Sequence, residues 1–169
     1  MVVVVMMGPT GCGKSTIASI LQRRTNWRFV EGDDYHSAEN ISKMSSGIPL
    51  TDEDRQPWLE ALHAEVERSQ AAHSNLILAC SSLKRQYRAT LVGGDYPSED
   101  VLFVYLDTPK DVLEARVRER KNHPVHEDIV QSQLDILEPP GADEHCVNID
   151  TTLDRKDVVS RILKELDRA

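Results

Sequence analysis

Residues 8–16 read Gly8-Pro9-Thr10-Gly11-Cys12-Gly13-Lys14-Ser15-Thr16, a glycine-bounded loop followed by a lysine and two hydroxyls. The spacing fits G-x-x-x-x-G-K-[ST], and the chemistry such a loop performs is phosphate binding. Its glycines let backbone N–H groups turn inward into a concave, positively polarised nest for phosphate oxygens. Lys14 brings a mobile point charge for the β- and γ-phosphates, and the Ser15 hydroxyl is a hard oxygen that can ligate Mg²⁺. A helix starting here adds its N-terminal dipole to the same anion. The candidate nucleotide-binding residues are therefore Gly8, Thr10, Gly11, Cys12, Gly13, Lys14, Ser15 and Thr16, and the expected ligand is a nucleoside triphosphate. Cys12 reads as a small residue that fits the loop, with alkylation-sensitive activity as the sharper alternative.

A second concentration of chemistry follows at Glu31-Gly32-Asp33-Asp34-Tyr35-His36. Phosphoryl transfer requires a nucleophile held in line and the developing charge neutralised, more than it requires covalent help. Asp33 is the candidate to orient an acceptor hydroxyl and take its proton. Asp107 is a competing metal-side acid, or else a helix N-cap. Lys84, Arg85 and Arg88 follow one apolar run and Arg55 lies in the segment opposite. Cations so grouped suit a carboxylate or phosphate held by charge-assisted bonds, so the acceptor is expected to be anionic. Arg116, Arg120 and Lys121 lie where kinases of this kind carry a mobile lid; an arginine there can neutralise the transferring phosphate and exclude water on closure. Arg118 is expected to face solvent.

These residues need a scaffold, and the apolar pattern supplies one. Val2 to Met7 is a β-branched apolar run, as a buried parallel strand should be. Helix one covers about 14–24, with Ile17, Ala18, Ile20 and Leu21 as its stripe. A second strand at 27–31 ends in the carboxylates, and ligands bind at strand C-terminal ends in open α/β sheets. A short helix at about 37–44 precedes Thr51-Asp52-Glu53-Asp54, which has the sequence of a capping box and opens a helix to about His73. Strand three is 76–80, strand four 101–106 and strand five 147–150. Further helices follow strand three and cover about 109–121, 126–137 and 154–168. Strands alternating with helices predict a parallel sheet covered on both faces, in one domain spanning 1–169 without repeat or linker.

The 169 residues carry 28 acidic and 20 basic side chains, a net charge of −8, which argues against a nucleic-acid or anionic-membrane surface. The six-residue apolar start is too short for a signal h-region or a membrane span. Three cysteines without paired or metal-ligand spacing read as reduced, in a cytoplasmic protein. His123 and His126 have no Cys or Glu to complete a metal set. No N-K-x-D or D-x-x-G string occurs, which excludes a GTPase switch, and strand three ends in Cys80-Ser81-Ser82 rather than in the acid of a motor or transport ATPase. Carboxylates after strand two point instead to a small-molecule kinase. A kinase of another polyol acid or nucleotide, and a catalytically silent nucleotide-binding regulator, are the alternatives.

The block from Glu31 to Leu59, the stretch Ala79 to Arg88, the Arg120-Lys121-x-His123 turn, and Gln131-Ser132-Gln133 with Leu137-Glu138-Pro139 together resemble the gluconate kinase (gluconokinase) family. The resemblance runs nearly the whole chain. It implies phosphorylation of D-gluconate at the 6-hydroxyl by ATP with Mg²⁺, feeding the pentose phosphate route, commonly in a homodimer. It also implies a nucleoside-monophosphate-kinase-like three-layer fold: a five-stranded parallel sheet in order 2-3-1-4-5, an acceptor-side segment at about 33–75, and a lid at about 116–137. By analogy with the related shikimate kinases, Glu31 sits with Ser15 on the Mg²⁺ side, through water, and Asp33 on the acceptor hydroxyl. Lys14, Asp33 and Arg120 would be catalytic, Arg116 would join the nucleotide site, and His36, Lys43, Arg55, Lys84, Arg88 and His123 would line the sugar-acid pocket. The chain departs from the family in having Glu31 where Asp is frequent, and Asn122-His123-Pro124 in the lid, where Pro124 stiffens the turn.

Overall fold

The computed structural model describes residues 1–120 and 128–168. The apolar run becomes β1 (Val3–Met7), buried along its whole length. It leads through the glycine loop into α1 (Lys14–Thr25), β2 (Arg28–Glu31) and a 3₁₀ turn at Gly32–Tyr35. Helices α2 (Ala38–Ser45) and α3 (Asp52–Ala71) follow, then β3 (Leu76–Ala79), α4 (Arg85–Val92) and β4 (Val101–Asp107). The remainder is α5 (Lys110–Glu119), α6 (Asp128–Ile136), β5 (Cys146–Asp150) and α7 (Arg155–Arg168).

All strand pairs are parallel, and their order is β2-β3-β1-β4-β5, as the family resemblance implied. Strand side chains alternate between faces, so β1 serves two cores. Val3, Val5 and Met7 pack with Trp58, Leu59 and Leu62 of α3 and with Leu91 of α4. Val4 and Met6 pack on the other face with Ile17, Ala18 and Leu21 of α1, Leu113 and Val117 of α5, and Val158 and Ile162 of α7. The order places β1 and its loop at the centre of the sheet, flanked by β3 and β4.

Local chemistry explains the boundaries. Gly13 opens α1 at φ 99°, a left-handed conformation that favours glycine. Asn26 closes the helix at φ 63°, its N–H bonded to the Gln22 carbonyl, so β2 begins at Arg28 rather than at Trp27. The capping box at α3 is present in both directions: Asp54 N–H donates to Thr51 Oγ1 and Thr51 N–H to Asp54 Oδ2, each at 3.0 Å. Helix α3 stops two residues before His73, which has φ 50°. The expected lid is described only in its flanks, the end of α5 and all of α6.

Candidate active site

Three strand ends converge at the C-terminal edge of the sheet. The glycine loop leaves β1, the carboxylate turn leaves β2, and Ser81 leaves β3. Gly8 N–H donates to the Ser81 carbonyl at 3.0 Å, which ties the loop to the end of β3. Lys14 lies back along the loop, with Nζ 2.9 Å from the Gly8 carbonyl and 3.2 Å from that of Pro9. These are neutral acceptors that a phosphate oxygen can outcompete, because its full negative charge attracts the ammonium more strongly than a carbonyl dipole does.

Ser15 Oγ donates to Glu31 Oε2, and Glu31 Oε1 accepts from the Asp33 N–H at 3.4 Å. Burial pushes the Glu31 carboxyl above its usual range; the Ser15 hydroxyl pulls it back, and the Asp33 charge adds to the push. A cation at this spot would relieve both unfavourable effects. Ser15 and Glu31 offer hard oxygens side by side, the donor type Mg²⁺ takes. Among the described residues no three His, Cys, Asp or Glu gather, so a metal here would be completed by phosphate oxygens and water.

The carboxylate turn is held from behind by α3. Trp58 Nε1 donates to the Gly32 carbonyl at 2.7 Å, and Tyr35 OH donates to Glu65 Oε1 at 3.0 Å. A side chain at residue 32 would place its Cβ 2.2 Å from the Ala79 carbonyl oxygen, so only glycine lets the turn pass β3 this closely. Asp33 is thereby presented to the crevice. His36 stacks on Trp58 with ring centroids 4.1 Å apart and planes at 14°. Burial lowers the His36 pKa to about 4; Asp33 opposes the shift and Arg55 adds to it, so the ring is neutral near pH 7.

Two cavities meet at the loop. The larger, about 210 Å³, is bounded by Cys12, Gly13, Thr16, Arg116, Arg120, Thr151, Leu153 and Arg155. Arg116 Nη1 donates to the Gly11 and Cys12 carbonyls at 3.2 Å, which fixes it against the loop. The second, only about 30 Å³, is lined by Thr10, Lys14, Asp33, His36, Met44, Leu50, Arg55, Trp58, Ser81 and Gln133. Arg120 lines both the larger cavity and the small gap it shares with Lys14, Ser15 and Asp33. Arg118 is exposed, as is Asp107; the N-cap position of α5 is held by Pro109, with no side-chain cap.

Of the expected acceptor-side residues, Asp33, His36 and Arg55 come together in the second cavity. Arg55 is buried, with Nη1 2.7 Å from the Leu50 carbonyl and its guanidinium over the Tyr87 ring at 5.3 Å. Lys43 and Lys84 stand outside the lining, each already paired: Lys43 Nζ is 3.0 Å from both Asp54 oxygens, and Lys84 Nζ is 3.1 Å from Asp52 Oδ1. Arg88 is a correction. It is 1% exposed, with Nε and Nη2 on Glu144 at 2.8 and 3.1 Å and Nη1 on the Ser82 carbonyl at 2.8 Å. This buried ion pair and carbonyl bond commit the guanidinium away from the residues that line the cavity. His123 lies outside the described residues. Met44, Leu50, Trp58, Ser81 and Gln133 complete the cavity without having been singled out for the pocket, although all five lie in the stretches that carry the family resemblance.

Comparison with known proteins agrees with this geometry. The family model for an AAA domain matches residues 3–140. A probable gluconokinase of Xenopus tropicalis is 42% identical, with 98% of this chain and 94% of the relative covered. A crystal structure of a sugar kinase from Janibacter sp. HTCC2649 superimposes with a TM-score of 0.90 at 41% identity, covering 99% of this chain and 95% of that one. The structure of a gluconokinase from Sinorhizobium meliloti 1021 gives a TM-score of 0.85 at 35% identity, covering 99% and 92%. With this identity spread over whole chains, on a phosphate loop facing a turn of carboxylates, the chain belongs to the gluconokinase family.

Proposed function

We propose that this chain transfers the γ-phosphoryl group of ATP to the 6-hydroxyl of D-gluconate, giving 6-phospho-D-gluconate and ADP. The observation that carries the reading is the shared crevice: Lys14 and Thr10 of the phosphate loop line the same cavity as Asp33, His36 and Arg55. A phosphate donor and an anionic hydroxy acceptor would meet there, with Asp33 between them.

In this mechanism the loop N–H groups and Lys14 bind the β- and γ-phosphates. Asp33 orients the acceptor hydroxyl and removes its proton as the O–P bond forms, the ADP oxygen leaving on the opposite side. Arg55 faces the acceptor carboxylate, and neutral His36 offers a hydrogen bond without adding charge. Arg120, placed between the two cavities, neutralises the equatorial oxygens during transfer. Ser15 and Glu31, the latter through water, would hold Mg²⁺, which would supply positive charge against the phosphate groups. The lid, with His123, would close over both ligands. Residues 1–169 act as one kinase domain in this reading, in a cytoplasmic homodimer whose product enters the pentose phosphate route. No helix among the described residues is long and apolar enough to cross a membrane, and Cys12, Cys80 and Cys146 are free thiols.

The test is an ADP-release assay with ATP, Mg²⁺ and D-gluconate, L-idonate, 2-keto-gluconate, shikimate, AMP or CMP. Strong selectivity for D-gluconate is expected. Turnover of another acceptor alone would overturn the substrate, and silence across the panel with ATP still bound would overturn the enzyme. A solution mass near one 19.0 kDa chain would overturn the dimer.

A further inference from the structure

Helix α6 sends one polar side chain into the acceptor cavity from a part of the chain remote from every other lining residue. Gln133 is 8% exposed, and its Oε1 accepts the Thr10 N–H at 2.7 Å, across 123 positions of sequence. Because a backbone N–H can only donate, the amide atom facing Thr10 is the carbonyl oxygen, and the NH₂ occupies the other branch. No described residue accepts a hydrogen bond from that nitrogen. Among the described residues the sealed polar side-chain atom without a partner is Ser82 Oγ, so the Gln133 nitrogen keeps contact with solvent and is open to a ligand entering the cavity it lines.

Two of the other polar groups that line the cavity are braced by neighbours. Arg55 is held by the Leu50 carbonyl and the Tyr87 hydroxyl, and His36 Nδ1 faces Asn40 Nδ2 at 3.3 Å. From these observations we infer that Gln133 is a substrate-contacting residue that helps set acceptor specificity: its amide nitrogen donates to an oxygen of the bound sugar acid while its carbonyl oxygen keeps hold of the phosphate loop. This rests on the acceptor site proposed above. The neutral amide suits the task. It donates to an anionic or hydroxylated acceptor and still accepts from Thr10, a pair of roles that a lysine or arginine cannot combine.

The discriminating variant is Gln133→Glu, which retains an acceptor for Thr10 but removes the donor. Steady-state kinetics would be run on full-length protein, beside a titration with fluorescent ADP to read the integrity of the loop. The expected result is ADP affinity within about twofold of wild type and a KM for D-gluconate raised roughly tenfold or more, the size expected for losing a hydrogen bond to a charged group. An unchanged KM would overturn the contact. A parallel loss of ADP affinity and acceptor KM would reduce Gln133 to a brace for the loop. Should the variant fail to fold, wild-type protein loaded with ADP gives the answer by NMR: the Gln133 side-chain NH₂ resonances should shift on adding D-gluconate, and stationary resonances would overturn the contact. If wild type phosphorylates another member of the panel instead, the gluconate reading has failed, and the same two measurements with that acceptor still judge Gln133. If wild type turns over no acceptor and the resonances stay fixed for all of them, both fall.

Discussion

The nucleotide side and the acceptor side of the crevice are built on opposite principles. The phosphate end of the nucleotide side is contiguous: residues 8–16 form the loop and offer its backbone N–H groups, and Arg116 is fixed against it through the Gly11 and Cys12 carbonyls and that of Thr151. The acceptor side is gathered from β2, α2, α3, the end of β3 and α6, through side chains as far apart as Asp33 and Gln133. One side holds about 210 Å³ of open space, the other about 30 Å³. A site for polyphosphate can be a preformed cradle, because its ligand is recognised by backbone amides that the fold itself orients. A site for one small polyol acid takes its shape from side chains, and those must be positioned by packing.

The largest effect should come from breaking the border between the two sides. Asp33→Asn is expected to keep ATP affinity while lowering turnover by about 10²-fold or more; full activity would make Asp33 a turn residue. Lys14→Ala should strike the donor side, lowering kcat by at least about 10²-fold, and a near-normal kcat would remove the lysine from the transfer step.

The corrected arginine gives the next test. Truncating Arg88 to Ala strands Glu144 in the interior and should cost about 3–5 kcal/mol of stability in denaturant titration. The KM for D-gluconate of the remaining folded protein should not move; a raised KM in a fully stable variant would return Arg88 to the pocket. For His36 the sign follows from its lowered pKa: below pH 6.5 the unfolded chain takes up a proton that the folded protein refuses until about pH 4. Stability should therefore be unaffected by this group above pH 6.5 and decline as pH falls from 6.5 towards 4. Denaturant midpoints across that window should fall less steeply in His36→Gln, and identical slopes would show that the histidine protonates freely. The smallest effect belongs to Lys84→Ala, whose exposed pair with Asp52 is worth up to about 1 kcal/mol. Its KM for D-gluconate should change by less than about fivefold; a larger rise would mean that Lys84 leaves Asp52 to hold the substrate.

Legibility tracked how local each feature is. The capping box at Thr51–Asp54 and the β1 strand are decided by neighbours within a few residues, and both appear where the pattern puts them. The basic cluster did not behave so simply. Arg55, Lys84 and Arg88 looked alike as cations near a strand end, yet one lines the cavity, one is paired with Asp52 outside the lining and one is buried against Glu144. Nothing in the spacing of residues 84–88 reveals that Glu144, 56 positions on, will claim the last of them. Gln133 stood in a string that carries the family resemblance, but its contact with Thr10, 123 positions away, was not legible for the same reason.

The amino-acid sequence alone determined the phosphate loop, the alternation that yields a parallel α/β sheet, and the carboxylates after β2, because each depends on short-range geometry or on period-two and helical burial. The tertiary structure decided which cations remain available for a ligand, that Trp58 and Glu65 hold the carboxylate turn, and that α6 brings an amide to the loop. Those outcomes depend on which charges meet across long loops. That is settled by packing, which desolvates one arginine beside a carboxylate and leaves another at the edge of the cavity.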